Sequence, residues 1–150
     1  MTYKEYRAQA LHDLKGFNEL KRGVKSLEKR IDFLKKGDLY NGRDAQTKIM
    51  ASFEGDSHVV RHLSQLEAME HKLHCSRIYL ENIENALALL SESDRELLTG
   101  FYINRQRLSV SSYAKKTYTD RTWLYRKAQR ALERYIITYF GVSKEDTENS

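Results

Sequence analysis

Not one proline interrupts the 150 residues of this chain, and glycine occurs only seven times. Proline ends or kinks a helix more sharply than any other residue, and glycine is the next most costly inside one. A chain so poor in both can run in long helices if its apolar residues recur at helical spacing, and they do. Leu20, Val24, Leu27, Ile31 and Leu34 follow at alternating intervals of four and three, and Leu14 and Phe17 carry the stripe backwards. That spacing puts them all on one face and predicts a helix from about residue 3 to residue 36, closed by Gly37 as a left-handed cap.

A second pattern follows. Val59, Leu66, Leu73, Leu80 and Leu87 fall seven apart, with Met69, Ile83 and Leu90 at the offset position and His62 and Ser76 filling its gaps. This heptad seam predicts a second long helix from about residue 56 or 57 to residue 90. Residues 37–57, with Gly37, Gly42 and Gly55 and no sustained period, read as a loop with a short helical turn around 45–53. The expected architecture is all-α. A long antiparallel, coiled-coil-like hairpin spans residues 1–90, a small helix-turn-helix unit residues 91–142, and a frayed polar tail residues 143–150. A homo-oligomer through the same seams is the alternative to an intramolecular hairpin, because two helices alone bury little area.

Charge is unevenly spread. Lys and Arg number 26 against 21 Asp and Glu, a formal net charge of +5. Residues 1–36 and 91–142 each hold ten basic and five acidic residues, while residues 37–90 hold five basic and eight acidic. Two basic regions thus flank an acidic one. A basic balance alone is a weak sign of nucleic acid, and Lys21, Arg22, Lys25, Lys29 and Arg30 of the first region read as a solvated face, with a second phosphate-binding surface as the alternative. The single cysteine, Cys75, excludes an internal disulfide and fits a reducing compartment. No apolar run approaches the ~20 residues of a membrane span, and the N-terminal residues have no apolar signal core, so a cytoplasmic protein with no membrane partner is expected.

The last third is the most specific. Ser93 with Glu96 offers a capping box for a short helix through Leu97, Leu98 and Phe101, which polar residues around 104–107 end. Residues 108–116 read as a second short helix, Tyr118, Thr119 and Asp120 as a turn, and residues 121–140 as a third helix closed by Gly141. A helix-turn-helix needs a small residue where its helices cross, a turn about four residues later, and an apolar docking residue about six beyond that. Ala114, Tyr118 and Leu124 stand at those places. Leu124, Ala128, Ala131, Leu132, Tyr135 and Ile136 form the inward stripe of the third helix. Its outward face presents Arg121, Thr122, Tyr125, Arg126, Gln129 and Arg130, with Lys115 and Lys116 on the preceding helix. Arginine pairs bidentately with guanine edges, glutamine reads adenine, and basic groups neutralise phosphates.

Residues 91–140 resemble the fourth region of bacterial sigma factors, as found in phage late-transcription regulators of the ArpU and RinA type. The resemblance rests on Leu90–Leu98 (LSESDRELL), on the Phe101-Tyr102 pair, and on Asp120–Leu132 (DRTWLYRKAQRAL). It implies a phage or prophage protein of a Gram-positive host that activates late genes, with double-stranded DNA as its partner. It also implies base-reading roles for Arg121, Thr122, Tyr125 and Arg126. Tyr118 departs from the turn glycine usual in that family, and Tyr113 from its aliphatic residue. Trp123 is unusual on such a helix, and packing against Phe101 accounts for it better than a base-stacking wedge.

Other chemistries fit less well. His58 and His62, or His71, His74 and Cys75, would present only two ligands toward one point from a single helix, whereas zinc needs about four, so no metal is expected. No nucleophile–base arrangement, glycine-rich phosphate loop or paired acidic cluster occurs, so neither an enzyme nor a cofactor is expected. Tyr102, Tyr113, Tyr118, Tyr125, Tyr135 and Tyr139 crowd the last segment as packing and contact residues rather than as a recombinase nucleophile. The alternatives to a transcriptional regulator are a DNA-packaging recognition subunit of the small-terminase kind and an RNA-polymerase-binding adaptor.

Overall fold

The structure, a computed structural model, describes residues 1–40, 55–104 and 121–148, and all the regular structure in them is helical. The helices are α1 (Tyr3–Lys15), α2 (Phe17–Tyr40), α3 (Gly55–Leu89), α4 (Glu92–Leu98), α5 (Arg121–Phe140) and α6 (Lys144–Glu148), with a π-helical turn, Thr99–Ile103, continuing α4. The all-α expectation holds. The expected turn at 45–53, the short helix at 108–116 and the turn at 118–120 lie outside the described residues.

The first predicted helix is two. Gly16 separates α1 from α2, its N–H bonded to the His12 carbonyl at 3.0 Å and its own carbonyl accepting from Leu20 N–H at 2.9 Å. A Cβ at position 16 would lie 3.3 Å from the His12 carbonyl oxygen, a close approach that suits glycine. Helix α1 begins instead on a reciprocal capping box that periodicity alone overlooks: Thr2 Oγ1 accepts from Glu5 N–H, and Glu5 Oε2 from Thr2 N–H at 2.7 Å. Nor does Gly37 end α2, which runs on to Tyr40. A helical glycine costs only about 1 kcal/mol against alanine, which the rest of the helix absorbs.

The chain divides into two compact units: residues 1–20 with 80–150, and residues 21–79. The division expected at residue 90 therefore does not hold, because α1 packs on α5, the π turn and α6. In the second unit, Val24 and Ile31 of α2 and Leu73 of α3 are buried, while Glu28 pairs with Arg77 and Lys35 with Glu70, both at 2.8 Å. Partner numbers rise on one helix as they fall on the other, so α2 and α3 run antiparallel there. Both pairs are solvent-exposed and set register more than they stabilise.

The first unit has the larger core. Ala10, Leu14, Ile83, Leu98, Ala128, Ala131, Leu132, Tyr135 and Ile136 are buried, and Tyr6 stacks at a tilt on Phe140 at 5.1 Å between centroids. Two termini differ from expectation. Ser91, not Ser93, caps α4, its Oγ accepting from Asp94 N–H at 3.2 Å. The expected frayed tail contains α6, which Ser143 and Asp146 cap reciprocally at 3.1 and 3.2 Å. Gly141 closes α5 as expected, at φ +71°, with its N–H bonded to the Ile137 carbonyl at 2.8 Å.

Candidate nucleic-acid interface

Helix α5 presents two chemically opposed faces. Leu124, Ala128, Ala131, Leu132, Tyr135 and Ile136 are all buried, so the inward stripe lies where its spacing places it. Arg121, Thr122, Tyr125, Arg126, Gln129 and Arg130 are all exposed. The helix carries five basic residues and one acidic residue, Glu133. Arg126, Arg130 and Arg134, each four residues from the next, form a ridge along it. Lys115 and Lys116, expected to contact DNA, lie outside the described residues, as do Ala114 and Tyr118.

At the N-terminal end of α5 the exposed groups are braced by rings. The Arg121 guanidinium lies over the Tyr125 ring, 5.9 Å from its centroid, and Tyr125 meets Phe101 edge-on at 5.4 Å. Phe101 lies 6.4 Å from Tyr102. Burial pushes the Tyr102 hydroxyl above the ordinary tyrosine range, opposed by the positive charge of Arg7 and reinforced by Tyr125. Phe101's partner on α5 is therefore Tyr125, whereas the sequence suggested Trp123. Trp123 is 45% exposed, with the Lys127 ammonium 3.6 Å above its ring. The two aromatics are two residues apart, about 200° around the helix, so only one can face Phe101.

On the opposite flank α4 meets α5. Arg134 Nη1 lies 2.9 Å from both carboxylate oxygens of Asp94, whose side chain is nearly buried. That pairing balances the charge of one arginine of the ridge and commits its Nη1 to Asp94. Ser91, Ser93, Lys127 and Arg130 line a cleft of about 210 Å³ beside it. Lys127 and this cleft do not emerge from the outward-face pattern. Their signal was present in the spacing 127, 130, 134, which is one flank of a helix, and in an acid within the first turn of the preceding helix.

A second polar cluster lies between α1 and α5. Asp13 is buried and accepts from Gln9 Nε2 at 2.8 Å. Burial raises its carboxyl above the usual range, while the Gln9 bond and His12 pull the other way. Burial also pushes the Tyr135 hydroxyl far above the ordinary range, with the Asp13 charge adding to it.

Of the candidate metal ligands, His71 Nε2 lies 3.7 Å from Cys75 Sγ on the surface of α3. Among the described residues no group of three or more His, Cys, Asp or Glu side chains converges, and no helix is long and apolar enough to cross a membrane. In comparisons with known proteins, no family model, curated protein or solved structure matches this chain.

Proposed function

We propose that this protein is a sequence-specific DNA-binding transcriptional regulator whose α5 enters the major groove of duplex DNA. The observation that carries the reading is the division of α5. One face is fixed in a core shared with α1 and α4, while the other exposes Arg121, Thr122, Arg126, Gln129 and Arg130 over its first three turns. A helix of ~10–12 Å diameter fits a major groove ~12 Å wide, and these side chains carry the donors that read guanine and adenine edges and neutralise backbone phosphates. A rigid support matters because base reading needs side chains held in register with the duplex. The resemblance to sigma region 4 gives the same face the same role and adds late-gene control in a phage or prophage setting.

The chain's single tryptophan reports on the proposal directly, since Trp123 lies exposed on the same half of α5. Titration with duplex DNA in low salt should change its emission saturably. The binding should weaken steeply with added salt, because each neutralised phosphate releases counterions. Emission unchanged by any duplex, together with no shift in electrophoretic mobility, would contradict the proposal.

A further inference from the structure

We infer that the cleft between the start of α4 and the middle of α5 seats one phosphate of the DNA backbone. The inference rests on the DNA reading above and deepens it by naming a backbone anchor on the flank of the outward face.

Charge at the cleft is not balanced internally. Lys127, Arg130 and Arg134 line it against one carboxylate, Asp94. Both oxygens of that carboxylate are taken up by Arg134 Nη1 at 2.9 Å. Lys127 and Arg130 are left as the cations available to an anion. Ser91 Oγ accepts from Asp94 N–H, which leaves its proton free to donate, and Ser93 is exposed. Two cations and two hydroxyls around one opening are the chemistry that holds a phosphodiester oxygen pair. The Trp123 ring beneath Lys127 holds the ammonium at the rim through a cation–π contact, which leaves ammonium protons for an oxygen ligand.

Position on the helix points to the backbone rather than to a base. Taking Arg126 as the middle of the outward face, Arg130 lies about 40° around α5, Arg134 about 80° and Lys127 about 100°. A helix seated in the major groove turns its middle toward base edges and its flanks toward the two sugar-phosphate strands. The cleft is on such a flank. It would fix register on the duplex without discriminating sequence.

The test measures duplex affinity across a salt series for the full chain, Lys127→Ala and Ser93→Glu, with thermal melting alongside. Ser93→Glu puts a carboxylate into the cleft and into the first turn of α4, where an acid favours the helix, so a structural effect would run toward stability. Both variants should weaken binding equally on all sequences, and Lys127→Ala should lower the slope of log affinity against log salt by about 0.9. A duplex with single methylphosphonate replacements locates the contact: at one backbone position the neutral linkage should abolish the difference between Lys127→Ala and the unaltered chain. Unchanged affinity and slope in both variants, with DNA binding otherwise intact, would overturn the cleft assignment and leave the DNA reading standing. Failure of the unaltered chain to bind any duplex would overturn both.

Discussion

Arg134 reaches from α5 to Asp94 in the first turn of α4 and holds both carboxylate oxygens from a single nitrogen, Nη1, at 2.9 Å. The acid is buried and the arginine is more than half exposed, so the two ends of the pair differ in what their loss would do. Arg134→Ala leaves a buried carboxylate without its counter-charge. The expected cost is about 2 kcal/mol, below that of a fully buried pair because the guanidinium side is screened by solvent. Urea denaturation of Arg134→Ala, Asp94→Ala and the double variant checks this. The double variant should be less destabilised than the sum of the two single ones, and strict additivity would show that the pair does not couple.

Tyr135 behaves unlike most buried tyrosines. Its side chain is fully buried, and its hydroxyl has no hydrogen-bond partner among the described residues. An unpartnered buried hydroxyl costs folding free energy, so Tyr135→Phe should be neutral or stabilising by about 1 kcal/mol. A fall in melting temperature of several degrees would reveal a partner for the hydroxyl.

Asp13 ties stability to pH with a defined sign. Burial raises its carboxyl above the ordinary carboxylate range, so the folded state binds the proton more tightly than the unfolded one. The contribution is fully present below the unfolded value and is lost as pH rises through the folded one. Asp13→Asn, which keeps an acceptor for Gln9, should therefore stabilise the protein at pH 7 and lose that advantage near pH 3. Melting temperatures of both chains from pH 3 to pH 8 test this, and parallel curves would contradict it.

Much of the fold was legible because apolar spacing speaks directly to burial. The stripe of α5 and the α2 residues Val24 and Ile31 lie where their intervals put them. What was not legible depends on partners distant in sequence. The break at Gly16 follows no change in apolar period; it lets α1 serve a core with α5, more than a hundred residues away. Ser91 and Ser93 are both competent caps, and sequence ranks the one with Glu96 three residues later above the one with Asp94. The choice of Ser91 goes with an Asp94 already engaged by Arg134. The exposed half of the candidate interface was readable residue by residue. Its flank at Lys127 left a trace in the spacing 127, 130, 134, but that trace becomes a cleft only once α4 is packed against α5.

Selection from a randomised duplex library is the sharpest measure of base reading by the outward face of α5. The full chain and the Arg121→Ala/Arg126→Ala variant would be incubated with the library, and the bound DNA sequenced. An enriched motif is expected for the full chain and its loss in the variant, with roughly 1–3 kcal/mol of discrimination per lost base contact. No enrichment at modest salt, or an identical motif from the variant, would contradict base reading by that face.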